Sequence, residues 1–202
     1  MEVVSTFENR ANRILLYIFA PLAFAILTYL GSQASIYLPF TPVPITLQVL
    51  TVILAGLMLG PRLGALSQVE YVVAGILGAP VFAGGKSGLI ALLGPTGGYI
   101  IGFIIAAYLT GIIYRVYGKK KNWSLFLSSA SGAATILFMG AAWLTIGFVL
   151  SGLNIMNAIG KSIMIGIIPF IAGDILKVIA ASIVIRTLVS GSRQGKESRL
   201  RL

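Results

Sequence analysis

The chain of 202 residues has no cysteine and no histidine. That excludes disulfide staples, thiolate nucleophiles, and metal sites built on those ligands. Acidic residues number five, and all charged residues together make up 10%, against about 25% in soluble domains. Phosphate-cradling loops are missing too. Gly85-Lys86-Ser87 and Gly160-Lys161-Ser162 resemble the end of a P-loop, but Pro80 and Ile155 stand where its first glycine belongs. The chain has no nucleotide-binding fingerprint of its own, and no resident cofactor or metal is expected.

Apolar residues are what the chain has in abundance, at 57%. A water-soluble core cannot absorb so much apolar surface, so the composition implies an integral membrane protein in contact with the lipid bilayer. Apolar segments separated by short polar or Gly/Pro breaks predict six transmembrane helices, at about 12–30, 46–60, 63–78, 97–117, 123–151 and 169–189. The expected class is an all-α membrane protein, one domain over residues 1–202, with tails at about 1–11 and 190–202. Met1 to Arg13 is too charged and too short to read as a cleaved signal peptide.

The net charge of +10 could suggest a nucleic-acid partner, but its distribution points to membrane topology. Arg10, Arg13, Arg62, Arg115, Lys119, Lys120, Lys121, Arg186, Arg193, Lys196, Arg199 and Arg201 all fall on one side of a six-span chain. Only Lys86 and Lys161 lie in the opposite loops. The positive-inside rule then places both termini in the cytoplasm of a multi-pass protein in the cell membrane, with no nucleic acid involved.

The second and third predicted helices are short for a bilayer. The outer loops beside them, 32–45 and 80–98, are apolar and rich in Pro and Gly. Irregular backbone at membrane depth survives where it is buried in protein or lines a cavity. We therefore expect two extracellular lid loops over an outward-facing pocket. Near it, within Pro169 to Lys177, lie Asp174 and Lys177, two ionisable residues in an otherwise apolar stretch. A charge in hydrocarbon costs about 2.5–3.5 kcal/mol on insertion scales. Three residues apart on a helix, the two share a face and partly neutralise each other. The pair reads as a binding site, with an internal ion pair that pins one helix as the alternative. Glu70, in mid-helix, reads as a structural carboxyl.

Five strings occur in order: Thr41-Pro42-Val43-Pro44-Ile45-Thr46-Leu47-Gln48, Leu59-Gly60-Pro61-Arg62-Leu63-Gly64, Gly78-Ala79-Pro80-Val81-Phe82-Ala83-Gly84-Gly85, Leu93-Gly94-Pro95-Thr96-Gly97-Gly98-Tyr99, and Gly173-Asp174-Ile175-Leu176-Lys177. Together they resemble the BioY family, the biotin-specific S components of energy-coupling factor (ECF) transporters. The resemblance implies a six-helix subunit that captures biotin from outside. Its implied partners are a membrane coupling protein and a pair of cytoplasmic ATPases, which alone use ATP, and the subunit topples in the bilayer to release its substrate. The first helix lacks the clean Ala-x-x-x-Ala that the family typically presents to its coupling protein.

Biotin carries a ureido ring with two N–H donors and a carbonyl, an apolar body, and a carboxylate. Asp174 suits the N–H donors through charge-assisted hydrogen bonds. Lys177 suits a ligand oxygen, and either Lys86 or Lys177 could hold the carboxylate. Phe40, Phe82 and Tyr99 are expected to line the apolar wall, with Tyr37, Trp143 and Phe170 as further aromatics. Two other readings are an S component for a different small vitamin and a membrane enzyme pairing Glu70 with Asp174.

Overall fold

The computed structural model describes residues 10–117 and 122–199, with side chains over 16–117 and 123–188. Many of the cations behind the topology expectation, including Lys119 to Lys121 and those from Arg193 onward, lie outside the described side chains. Among the described residues the chain is nearly all helical. Helix α1 spans Arg10–Gln33, and a short hairpin of β1 (Ser35–Ile36) and β2 (Ile45–Thr46) follows. Then come α2 (Gln48–Leu59), α3 (Pro61–Ile76), α4 (Gly88–Leu93), α5 (Gly97–Tyr117), α6 (Asn122–Leu150), α7 (Ile155–Gly166) and α8 (Ile168–Arg199).

Among the described residues, four stretches are long and apolar enough to cross a membrane: Leu16–Gln33, Gly97–Tyr117, Trp123–Leu150 and Ile168–Leu188. Helix α2, at 12 residues, is shorter than the sequence suggested. It ends where Gly60 adopts φ +81°, and Pro61 opens α3 at once. A positive φ costs glycine nothing, and proline is preorganised for a first helical turn. The result is an immediate reversal between α2 and α3.

Two helices fall where loops were expected. Helix α4 sits inside the second loop. Helix α7 fills the segment after α6, started by Asn154, whose side chain accepts a hydrogen bond from the Met156 amide at 2.9 Å. Asparagine at an N-cap satisfies one of the free amides of the first turn. Buried Phe170 and Asp174 follow α7 on α8.

The core is packed through small residues. Gly56 of α2 faces Ala107 and Thr110 of α5, and Gly98 and Gly102 of α5 face Trp143 and Met139 of α6. Small residues let helix backbones approach closely where hydrophobic exclusion cannot drive association. Gly111 packs on Pro61. This brings exposed Arg62 and Arg115 to one end of the bundle, while the hairpin and the second loop lie at the other.

Candidate functional site

A cavity opens at the loop end. Its lining comes from both loops and from α2, α5, α6 and α8, and includes Lys86, Phe82, Tyr99, Asp174 and Lys177. The structure thus brings together five of the six residues singled out from sequence. Phe40 is the exception. It is 59% exposed and absent from the lining, because Thr41 beside it turns inward and is buried. Tyr37 of the same loop lines the cavity instead and packs over Gly84, whose φ of +74° makes the tight turn of the second loop.

Asp174 and Lys177 are 4% and 8% exposed. Lys177 Nζ donates to Asp174 Oδ1 at 2.8 Å. Asp174 Oδ2 is buried and has no hydrogen-bond partner. A buried carboxylate oxygen without a donor is costly, and this one belongs to a cavity-lining residue. Lys86, by contrast, is exposed on the second loop, where its carbonyl and the Phe82 amide form a bridge at 3.0 Å.

Sequence reasoning named neither Gln48 nor Thr46, although both stand in the first string it quoted. Both line the cavity and are buried. Gln48 Nε2 donates to Tyr71 Oη at 2.7 Å, and Thr46 Oγ1 donates to Gln48 Oε1 at 3.1 Å. Tyr71 Oη and Ser32 Oγ both donate to the Val81 carbonyl, at 3.0 and 2.7 Å, which ties the second loop to α1 and α3. An amide directly after the Pro-rich string was the available signal, since a polar group there must be paired or functional.

The Gly-Pro-Thr-Gly-Gly-Tyr string acts through packing. Trp143 Nε1 donates to the Gly94 carbonyl at 3.0 Å, so Trp143 braces the loop and does not line the cavity. Tyr99 Oη donates to the Gly166 carbonyl at 2.7 Å, and its ring lies against Phe170, centroids 6.3 Å apart. Glu70 is half-buried, its Oε2 has no partner, and it does not line the cavity with Asp174. The two carboxylates are not brought to one site. Among the described residues no group of three His, Cys, Asp or Glu side chains could hold a metal ion.

A model described as BioY family matches residues 9–194. The chain belongs to the BioY family. A Pyrococcus horikoshii protein named probable biotin transporter BioY is 42% identical over 82% of this chain and 91% of its own length. The biotin transporter BioY of Thermotoga maritima is 37% identical over 80% of this chain and 88% of its own. Among solved structures, the S-component for biotin from an ECF-type ABC transporter superposes with a TM-score of 0.74 at 27% identity, covering 89% of this chain and 93% of that one. For a BioY family member, four of the five strings that carry the resemblance line the cavity or brace its rim; the fifth, Leu59 to Gly64, makes the reversal between α2 and α3 at the other end.

Proposed function

We propose that this chain captures biotin as the S component of an ECF transporter in the cell membrane. A membrane coupling protein and a cytoplasmic ATPase pair supply the energy, and the chain itself is a transport subunit with no catalytic residue. The observation that carries the reading is Asp174 Oδ2, a buried, unpartnered acceptor on the cavity wall. A ureido N–H is the complementary donor, and the pairing is charge-assisted.

The rest of the ligand follows from the remaining chemistry. Lys177 Nζ is already held by Asp174 at 2.8 Å inside the protein. Lys86 is free to approach from the exposed loop, so the tail carboxylate falls to Lys86. Phe82, Tyr99 and Phe170 enclose the apolar body. The experiment is calorimetric titration of the purified chain, with no partner present, by biotin and by biotin amide. Tight biotin binding is expected, and Lys86→Ala weakens biotin while leaving biotin amide unchanged. No biotin binding by the folded native chain sinks the reading; a vitamin of another class that binds tightly instead would replace it.

The same reading has six crossings, α1, α2, α3, α5, α6 and α8, with both termini cytoplasmic and the two loops as outer lids. Helices α2 and α3 rise about 18 and 24 Å at about 1.5 Å per residue, short of a hydrocarbon layer of about 30 Å. That shortness leaves room for a pocket below the outer surface. Because the chain lacks native cysteine, single cysteines at Lys86 and Arg115 test the arrangement. An impermeant reagent on intact cells labels the first and spares the second; equal labelling contradicts it.

A further inference from the structure

Pro169 has no N–H, so the carbonyl of Ile165 cannot receive its helical hydrogen bond. The Phe170 amide turns to the Ile167 carbonyl at 3.0 Å, which deprives Gly166 of its i+4 donor as well. Two carbonyls at a partly buried helix break are thereby left over. Two hydroxyls from distant parts of the chain take them. Thr41 Oγ1, in the first loop, donates to Ile165 at 2.7 Å, and Tyr99 Oη donates to Gly166 at 2.7 Å. Thr41 is buried and is itself fixed by the Val43 amide, which donates to its hydroxyl at 3.2 Å. Within about two helical turns of the break come Asp174 and Lys177.

We infer that Thr41 is a positioning residue for ligand capture. Its hydroxyl supplies the hydrogen bond that Pro169 removes, and so fixes the angle at which α8 leaves the break and the place of Asp174 on the cavity wall. Thr41 does not line the cavity; it ties the first loop to the last turn of α7, immediately before the helix that bears the charged pair, and so acts through α8. This rests on the proposed contact between Asp174 and biotin.

The test is a double-mutant cycle on the full chain: native, Thr41→Val, Pro169→Ala, and both together. Thr41→Val lowers biotin affinity about tenfold in the native background. In the Pro169→Ala background the penalty falls below about threefold, because an N–H at position 169 can now serve Ile165. Thr41→Ser keeps affinity within about threefold of native, since the hydroxyl remains. No penalty in the native background, or the same penalty in both, overturns the inference. Should Thr41→Val alone not fold, the double variant decides: a folded, biotin-binding double supports the inference, and an unfolded one overturns it. If the native chain binds no biotin, the functional reading falls separately. The same cycle read as thermal midpoints then tests the cap alone, with non-additivity supporting it and additivity overturning it.

Discussion

Among the described residues, two of the buried polar clusters in this bundle are finished differently. Between α1, α2 and α3 the groups answer one another. Thr28 Oγ1 donates to the Phe24 carbonyl at 2.9 Å and approaches Gln68 Oε1 at 3.3 Å, while Gln68 Nε2 donates to Ser67 at 2.9 Å. Thr51 Oγ1 donates to the Gln48 carbonyl at 2.8 Å. On α8 the ion pair is closed on one side only, through Asp174 Oδ1, while Oδ2 has no donor. A satisfied cluster specifies how helices pack; an acceptor left unpaired beside a cavity is suited to a ligand. Gln48 links the satisfied cluster to the cavity, since it bonds Tyr71 and lines the cavity wall.

The sharpest way to break this contrast is Lys177→Met. It strands the Asp174 carboxylate, and losing one partner of a buried pair costs about 3–5 kcal/mol. A marked fall in thermal midpoint in detergent is expected along with lost biotin binding; native stability and binding would make the pair dispensable. Next in size is Asp174→Asn, which keeps the volume and loses a charged acceptor. Its affinity falls about tenfold to a hundredfold, or about 1.5–3 kcal/mol, as calorimetry would read.

A smaller effect belongs to the satisfied cluster. Thr28→Val removes one donor and lowers stability by about 1 kcal/mol, with biotin affinity unchanged. A large affinity loss there would erase the distinction between the clusters. Smallest of all is Glu70→Gln. Glu70 is outside the cavity lining, so biotin affinity stays native; a collapse of binding would return Glu70 to the site.

Much of this was legible in sequence, and the reasons differ by element. The charged pair stood out because hydrocarbon makes any retained charge conspicuous. The cavity-lining loops stood out because proline and glycine at membrane depth need protein around them. Helix α7 was not legible. Its twelve residues follow Gly152 and precede Pro169, and that punctuation reads as a loop. Asn154 as an N-cap was the local signal for it. Phe40 was chosen for its place directly before the first string, yet neighbouring positions on an irregular loop face different ways, and it is Thr41 that turns in. The bond from Thr41 to Ile165 spans 124 positions of sequence, and no local pattern announces it.

The central claim is that Asp174 accepts a ureido N–H. It is tested most directly by titrating native protein and Asp174→Asn with biotin and with the cyclic carbamates in which oxygen replaces one ureido N–H. Native protein is expected to prefer biotin over at least one carbamate by about tenfold or more, and Asp174→Asn to lose most of that preference. A folded Asp174→Asn that keeps both the native affinity and the native preference would contradict the account.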